Sequence, residues 1–99
     1  MGRRPLTEED RERANEEARE RQRLQDLAEV VRSGPGFRVL LDLLGNLCAF
    51  RQVSAPVDVE LKNAAEVLLD DIARAEPNGF LALMAAGRGI GPLPGWPPR

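Results

Sequence analysis

The stretch that decides the fold is SGPGFRVLLDLLGNLCAF, residues Ser33–Phe50. From Phe37 onward, its large apolar side chains recur at intervals of three and four residues, the spacing of one helix face. That face consists of Phe37, Leu40, Leu41, Leu44, Leu47 and Cys48, and it is widened by Val39, Leu43 and Phe50. A helix that is apolar over most of its circumference is buried on two sides, so we predict a central helix over about Phe37–Arg51, capped by Ser33. A glycine inside a helix destabilises it, so Gly45 predicts a close approach of a second helix.

The segment before this helix is a long polar helix whose last turns become apolar. Thr7 is a capping residue, and the acids that follow it lie where the helix dipole favours negative charge. Over Glu8–Arg23, here called the charged arm, seven acids are mixed with five arginines. An apolar stripe follows, made of Leu24, Leu27, Ala28 and Val31. We expect residues 1–32 to form an arm that docks at its end and projects at its start, with Leu24, Leu27 and Val31 as candidate partner-binding residues. An arm that is solvated along its length is the alternative.

Two further helices follow the central one. Residues 52–57 form a loop closed by Pro56, Asp58 is the expected cap of the third helix, and Pro77 opens the fourth. The third helix has an apolar stripe made of Leu61, Ala64, Ala65, Leu68, Leu69 and Ile72. The fourth has an apolar face made of Phe80, Leu81, Leu83 and Met84, and Gly87 is expected in the left-handed position after it. No segment alternates with period two. The prediction is an all-α protein, a small helical bundle with its core in residues 33–87.

The last segment, residues 88–99, is rich in proline and glycine and is predicted to be an extended interaction tail. It carries three separated apolar side chains, Ile90, Leu93 and Trp96. Apolar anchors on a stiff backbone are typical of peptides that bind in a groove, so we name these three as partner-binding residues. The alternative is that the tail folds back on its own domain.

Composition argues against most enzymatic chemistry. The chain has no histidine, no tyrosine and one cysteine, so the usual base of nucleophilic catalysis and any internal disulfide are missing. Cys48 lies on an apolar face, where a thiol behaves as a small hydrophobe. Asp70 and Asp71 are adjacent on a helix and point in diverging directions, and the other acids are spread over solvated faces. We therefore expect no catalytic residues, no metal site and no cofactor.

Charge and hydropathy argue against nucleic-acid and membrane partners. The net charge is −2, and the third helix carries five acids against Lys62 and Arg74, which would repel phosphate. The longest apolar run is far shorter than a membrane span, and the first residues lead directly into charge without a signal-peptide pattern. We expect no sequence-specific binding of nucleic acid, no membrane association and synthesis in the cytoplasm.

From Ser33 to Gly87 the sequence resembles a family of small helical proteins encoded among the virion structural genes of short-tailed bacteriophages (podoviruses). The resemblance lies in SGPGFRVLLDLLGNLCAF and in AAEVLLDDIARAEPNGFLALM, which follows about ten residues later. The matching positions are Gly36, Leu40, Leu43, Leu44, Cys48, Phe50, Leu68, Leu69, Ile72, Pro77, Leu83 and Met84. Members often carry paired arginines early in the third helix, where this chain has only Lys62.

The resemblance implies a non-enzymatic virion protein of the head-to-tail region that contacts portal, adaptor or tail subunits. On a portal or adaptor ring, the architecture of tailed phages implies roughly 12 identical copies. Three alternatives remain open: a minor protein packaged inside the head, an assembly factor that leaves the mature particle, and a small cytoplasmic regulator that binds another protein.

Overall fold

The computed structural model describes residues 5, 7–91, 93–96 and 98, and over these residues the chain is all-α. Its four helices are α1 (Glu8–Arg32), α2 (Gly34–Asn46), α3 (Pro56–Ala75) and α4 (Pro77–Gly87). No strand occurs in the described ranges. The prediction of an all-α protein is confirmed.

The first two helices begin at side-chain caps that the sequence indicated. The Thr7 hydroxyl accepts a hydrogen bond from the backbone N–H of Asp10 (3.1 Å), and the Asp10 carboxylate accepts one from the Thr7 N–H (3.2 Å). This reciprocal pair is a capping box, which satisfies two amides that the first turn leaves free. The hydroxyl of Ser33 caps α2 by accepting from the Gly36 N–H (2.9 Å). Ser33 also ends α1, so one residue joins the two helices.

Helix α2 begins and ends earlier than predicted. It starts at Gly34 because Pro35 lies in its first turn, where a missing N–H is not needed. It ends at Asn46 because Cys48 adopts a left-handed backbone conformation with φ of 63°. The Cys48 N–H donates to the Gly45 carbonyl (3.1 Å) and the Ala49 N–H to the Leu44 carbonyl (3.0 Å). These two bonds form a Schellman motif with cysteine at the position usually held by glycine.

The boundaries of α3 and α4 correct two further predictions. Ala55, not Asp58, is the N-cap of α3; no side chain caps this helix, and Asp58 lies in its first turn. The left-handed residue after α4 is Gly89, with φ of 73°, not Gly87. The Gly89 N–H donates to the Ala86 carbonyl (3.1 Å) and the Ile90 N–H to the Ala85 carbonyl (2.9 Å), which is a second Schellman motif. The predicted start of α4 at Pro77 is confirmed.

The core lies where the end of α1 meets the other helices. Helix α1 contacts α2, α3 and α4, and α4 also contacts α2 and α3. The central buried side chains are Val31, Leu40, Leu44, Ala65, Leu69, Ile72 and Leu83. Several apolar residues assigned to buried faces are instead exposed: Val39 (64%), Leu43 (42%), Leu61 (38%) and Leu81 (55%). The apolar stripes are therefore wider than the surfaces that the helices bury.

Close approaches occur at Gly79 and Gly87, and not at Gly45 as predicted. Gly45 is exposed, and a Cβ atom built on it would meet nothing within 4 Å. A Cβ atom at Gly79 would lie under 3.0 Å from Val31 Cγ1, and one at Gly87 would lie under 3.0 Å from the Phe50 ring. These two glycines let α4 approach α1 and the turn after α2 more closely than any other residue would permit.

Candidate interaction site

The charged arm contributes nothing to the apolar core. Every described side chain from Glu8 to Arg19 is exposed except the capping residue Asp10, which is half-buried. The first buried residues of α1 are Ala28 and Val31, near its end. At a rise of 1.5 Å per residue, the helix extends for about 20 Å before its first contact with α3 through Glu20. The longest dimension of the molecule is 60 Å and the shortest is 19 Å.

A network of four charged residues fixes the arm to α3. Arg23 contacts Glu20 at 2.6 Å and Asp71 at 3.0 Å, and Arg74 contacts each of these carboxylates at 3.6 Å. The hydrogen bonds from Arg23 lower the pKa of Glu20 and of Asp71 below their ordinary values, and they raise the pKa of Arg23. The lowered pKa values favour the charged form of both carboxylates in the folded state, and the network joins the end of the charged arm to α3.

A second ion pair fixes the end of α1 to the junction of α3 and α4. The Arg32 Nε atom lies 2.5 Å from the Glu76 carboxylate. Glu76 is the one buried charged residue of the described chain, with 8% of its surface exposed. A charge removed from water needs a partner, so Arg32 compensates the burial of Glu76. Glu76 lies between the last residue of α3 and the first residue of α4, and it is the C-cap of α3 and the N-cap of α4.

The tail folds back over α2 and α4 through Trp96. The indole ring packs against the core at a centroid distance of 6.3 Å from Phe37, with the two rings tilted by 54°. A Cβ atom at Gly79 would lie 2.9 Å from Trp96 Cζ2, so the absence of a side chain at this position makes room for the indole. The backbone N–H of Trp96 donates to the Leu93 carbonyl (3.1 Å) across a turn in which Gly95 has φ of 77°. We call the surface of Phe37, Gly79, Ala82 and Ala86 the tail seat.

The fit of the tail in its seat is incomplete. An open pocket of about 320 Å³ lies beside it, lined by Phe37, Ala82, Ala86, Gly89, Gly91, Leu93 and Trp96. The indole Nε1 is buried and has no hydrogen-bond partner in the described part of the chain. A buried N–H without a partner costs free energy, and unfilled space forfeits packing contacts.

The predicted partner-binding residues fall into three groups. Ile90 is 72% exposed. Leu24 and Leu93 are half-buried, and Leu27 and Trp96 are partly buried against the chain's own core. Val31 is fully buried at 0% exposure, so it holds α1 to the core and cannot reach a partner while the core is folded. In the structure Trp96 packs against the core of its own chain.

Helix α3 carries exposed apolar residues that were not predicted as partner-binding positions. They are Val57 (66%), Val59 (38%), Leu61 (38%) and Val67 (65%). Val57 and Leu61 are one turn apart and therefore share a face of the helix. The signal was present in the sequence as extra apolar positions beside the stripe of α3, which is typical of a helix with more apolar surface than its own domain covers.

Cys48 is held inside the domain. It is 1% exposed, and its Sγ atom accepts a hydrogen bond of 2.9 Å from the Arg51 guanidinium, which raises the pKa of Arg51. Within the described ranges no group of three or more histidine, cysteine or acidic residues is arranged to bind a metal ion. None of the helices in these ranges is both long and apolar enough to cross a membrane.

Neither a protein-family model, nor a curated protein, nor a solved structure matches this chain. The candidate site is accordingly defined by its own geometry: an exposed charged arm, a tail on an imperfect seat, and uncovered apolar positions on α2 and α3.

Proposed function

We propose that this chain is a non-enzymatic structural protein of a short-tailed phage particle, located in the head-to-tail region. In this proposal a small helical bundle carries a projecting charged arm and a proline- and glycine-rich tail, and the arm and the exposed Ile90 of the tail bind neighbouring virion subunits. The resemblance of residues 33–87 to podovirus virion proteins supports the proposed biological setting. The exposed charged arm supports binding as the proposed mode of action.

The observation that carries the proposal is the charged arm. A capped helix that is exposed over Glu8–Arg19 orders the backbone of these residues, and it buries almost no apolar surface in return. Ordering the backbone costs conformational entropy, which folding normally offsets by burial. A charged helix of this kind presents a pattern of acids and arginines along its surface, and such patterns give orientation and specificity at interfaces between proteins.

The size of the core supports assembly from several copies. Among the described residues only five larger side chains are fully buried: Leu44, Ile72, Leu83, Val31 and Cys48. Domains of this size bury a small fraction of their surface and are marginally stable alone. Association with identical neighbours stabilises the folded state by mass action, and the exposed apolar residues of α2 and α3 offer surface for it. Roughly 12 copies would fit a ring on the portal.

Mass spectrometry of purified particles, calibrated against the portal protein, tests this proposal. We expect a fixed ratio near one copy per portal subunit. A much higher ratio would move the protein to the capsid. Absence from the particle would contradict the proposal and favour an assembly factor or a cytoplasmic regulator.

A matched pair of arm variants tests the mode of action. Replacing the exposed residues Arg19 and Arg21 by glutamate removes two of the five arginines of the arm and makes the arm more negative, and neither residue belongs to the network with α3. We expect this variant to be lost from particles while its helix content, measured by circular dichroism, stays at the wild-type value. The control is Arg38→Glu, an exposed change on α2, which should leave incorporation unchanged. Equal incorporation of all three proteins would refute a binding role for the arm.

A further inference from the structure

We propose that the charged arm packs side by side with the arm of a second copy of this chain, both pointing in the same direction. The acidic side of one arm then contacts the arginine side of the next. The inference deepens the proposed function, on which it rests, because it names a second copy as the neighbour that the arm binds. Each copy uses both sides of its arm, so the contact repeats from copy to copy.

One side of the arm is acidic towards its start. An α-helix has about 3.6 residues per turn, so successive residues of α1 are about 100° apart around its axis. Four glutamates fall within about 100° of this circumference and form what we call the acidic side: Glu8, Glu9, Glu12 and Glu16. All four side chains are exposed. The first arginine on this side is Arg19, about one turn closer to the core.

The opposite side of the arm is free of acids. Four residues within about 80° of the circumference form what we call the arginine side: Arg11, Ala14, Ala18 and Arg21. All four side chains are exposed. The centres of the two sides are about 150° apart, so one arm cannot bring its own acidic side onto its arginine side. The alanines between the two arginines are small, and small side chains at a helix contact allow a short distance between the helix axes.

The charges on both sides have no partner within the chain. Leaving Asp10 aside, the ion pairs of α1 in the described part of the chain involve Glu20, Arg23 and Arg32. The stripe through which α1 docks, from Leu24 to Val31, faces the core between the two sides and leaves both open to solvent. Complementary potentials favour association and fix its register. A second copy offers the complement of each side, which is why we assign it as the occupant.

Arms that lie level and point the same way place an arginine of one copy beside acids of the next. At a rise of 1.5 Å per residue, Arg11 is displaced along the axis by about 5 Å from the neighbour's Glu8 and by about 2 Å from its Glu12. Exposed ion pairs are weak one by one and are screened by salt, so the contact forms at high local concentration, as in an assembly. A contact between two different sides is heterologous, and it either closes into a ring or continues as a filament.

Carbodiimide cross-linking of the purified protein tests the contact. The reagent joins a lysine amine to a carboxylate that touches it, and the chain has one lysine, Lys62. Arg11→Lys places an amine on the arginine side and keeps the charge. The control, Arg19→Lys, places an amine on the acidic side, which meets no acid of the next copy. At high protein concentration and low salt we expect a ladder of dimers, trimers and larger products from Arg11→Lys, and no ladder from Arg19→Lys or wild type.

Two further measurements define the direction of the contact. In the dimer formed by Arg11→Lys, peptide mapping should find the new lysine joined to Glu8 or Glu12. The ladder should disappear at 1 M salt, where the screening length is about 3 Å. A variant that combines Arg11→Lys with glutamine at Glu8, Glu12 and Glu16 lacks the acidic side. Alone it should give no ladder, and mixed with wild type it should give dimers only.

The outcomes separate this inference from the proposed function. Equal ladders from Arg11→Lys and Arg19→Lys, products of Arg11→Lys that stop at the dimer, or no products at low salt would each overturn side-by-side pairing. A ladder from the purified protein, with the protein missing from particles, supports the pairing and refutes the proposed function. Protein present in particles at the expected ratio, with no ladder, refutes the pairing alone.

Discussion

Leu43 and Leu44 are adjacent on α2 and chemically identical, yet the structure assigns them opposite environments. Leu44 is 0% exposed and lies at the centre of the core, whereas Leu43 is 42% exposed. Replacing each by alanine removes the same three carbon atoms. The pair therefore measures burial on α2 with composition and helix position held nearly constant.

The expected magnitudes follow from these exposures. The transfer term for three buried carbons is about 2.4 kcal/mol at roughly 0.8 kcal/mol per carbon. The cavity that remains raises the cost of Leu44→Ala to about 3–5 kcal/mol. Leu43→Ala loses about half of the transfer term and leaves no closed cavity, so its cost is about 1 kcal/mol. The difference is a large part of the roughly 5–15 kcal/mol that stabilises a typical domain.

Urea denaturation followed by circular dichroism measures both variants. With a slope of about 1–2 kcal/mol per molar urea, Leu44→Ala should lower the midpoint by at least ~1 M more than Leu43→Ala does. If Leu44→Ala does not fold, the volume-conserving Leu44→Met replaces it and should cost under about 1.5 kcal/mol. Equal midpoint shifts for Leu43→Ala and Leu44→Ala would refute the orientation of α2.

Two further predictions concern glycine packing and the charged network. Gly87→Ala should destabilise the fold by about 1–3 kcal/mol, because the added Cβ meets the Phe50 ring. Gly45→Ala should stabilise the fold by about 0.5–1 kcal/mol, because the added Cβ meets nothing and alanine favours the helix. Thermal melts compare the two variants, and a change of the same sign in both would contradict the helix contacts. Asp71→Asn should lower stability by up to about 1 kcal/mol, and the exposed control Asp70→Asn by less. The pKa of Asp71 is lowered in the folded state, so the contribution of the network is present above about pH 4 and is lost as the pH falls through the folded pKa. Melts of wild type between pH 7 and pH 3 should therefore show a loss that Asp71→Asn shows more weakly, and identical pH profiles would argue against the network.

The sequence predicted the helices well where a local rule determines them. The caps at Thr7 and Ser33 and the proline at Pro77 act within one turn, and the structure contains all three. The end of α2 could not be predicted in the same way. It depends on Cys48 adopting a left-handed backbone conformation, which is uncommon for residues other than glycine. The structure shows that the Cys48 side chain is buried in this conformation, and the local sequence does not show this.

The orientation of each helix was harder to predict, because an apolar stripe wider than the buried surface has no unique centre. Leu43 and Leu44 both fit the stripe of α2, and the predicted close approach was assigned to Gly45, whereas the structure has it at Gly79. Only the contact between α1 and α4 identifies Gly79. The seat of Trp96 was outside the reach of the sequence for a similar reason. It is built from α2 and α4, and nothing in the tail itself distinguishes its own domain from a partner.

Cross-linking of purified particles with a carboxylate-reactive reagent tests the central claim most directly, because acids are dense on the arm and lysine occurs once in the chain. The account predicts links from acids of the exposed arm, Glu8 to Glu17, to other virion subunits. It also predicts links between Glu20 and Asp71 within one chain, since both contact Arg23. Particles that contain the protein but give only links within one chain, or particles without the protein, would contradict the account.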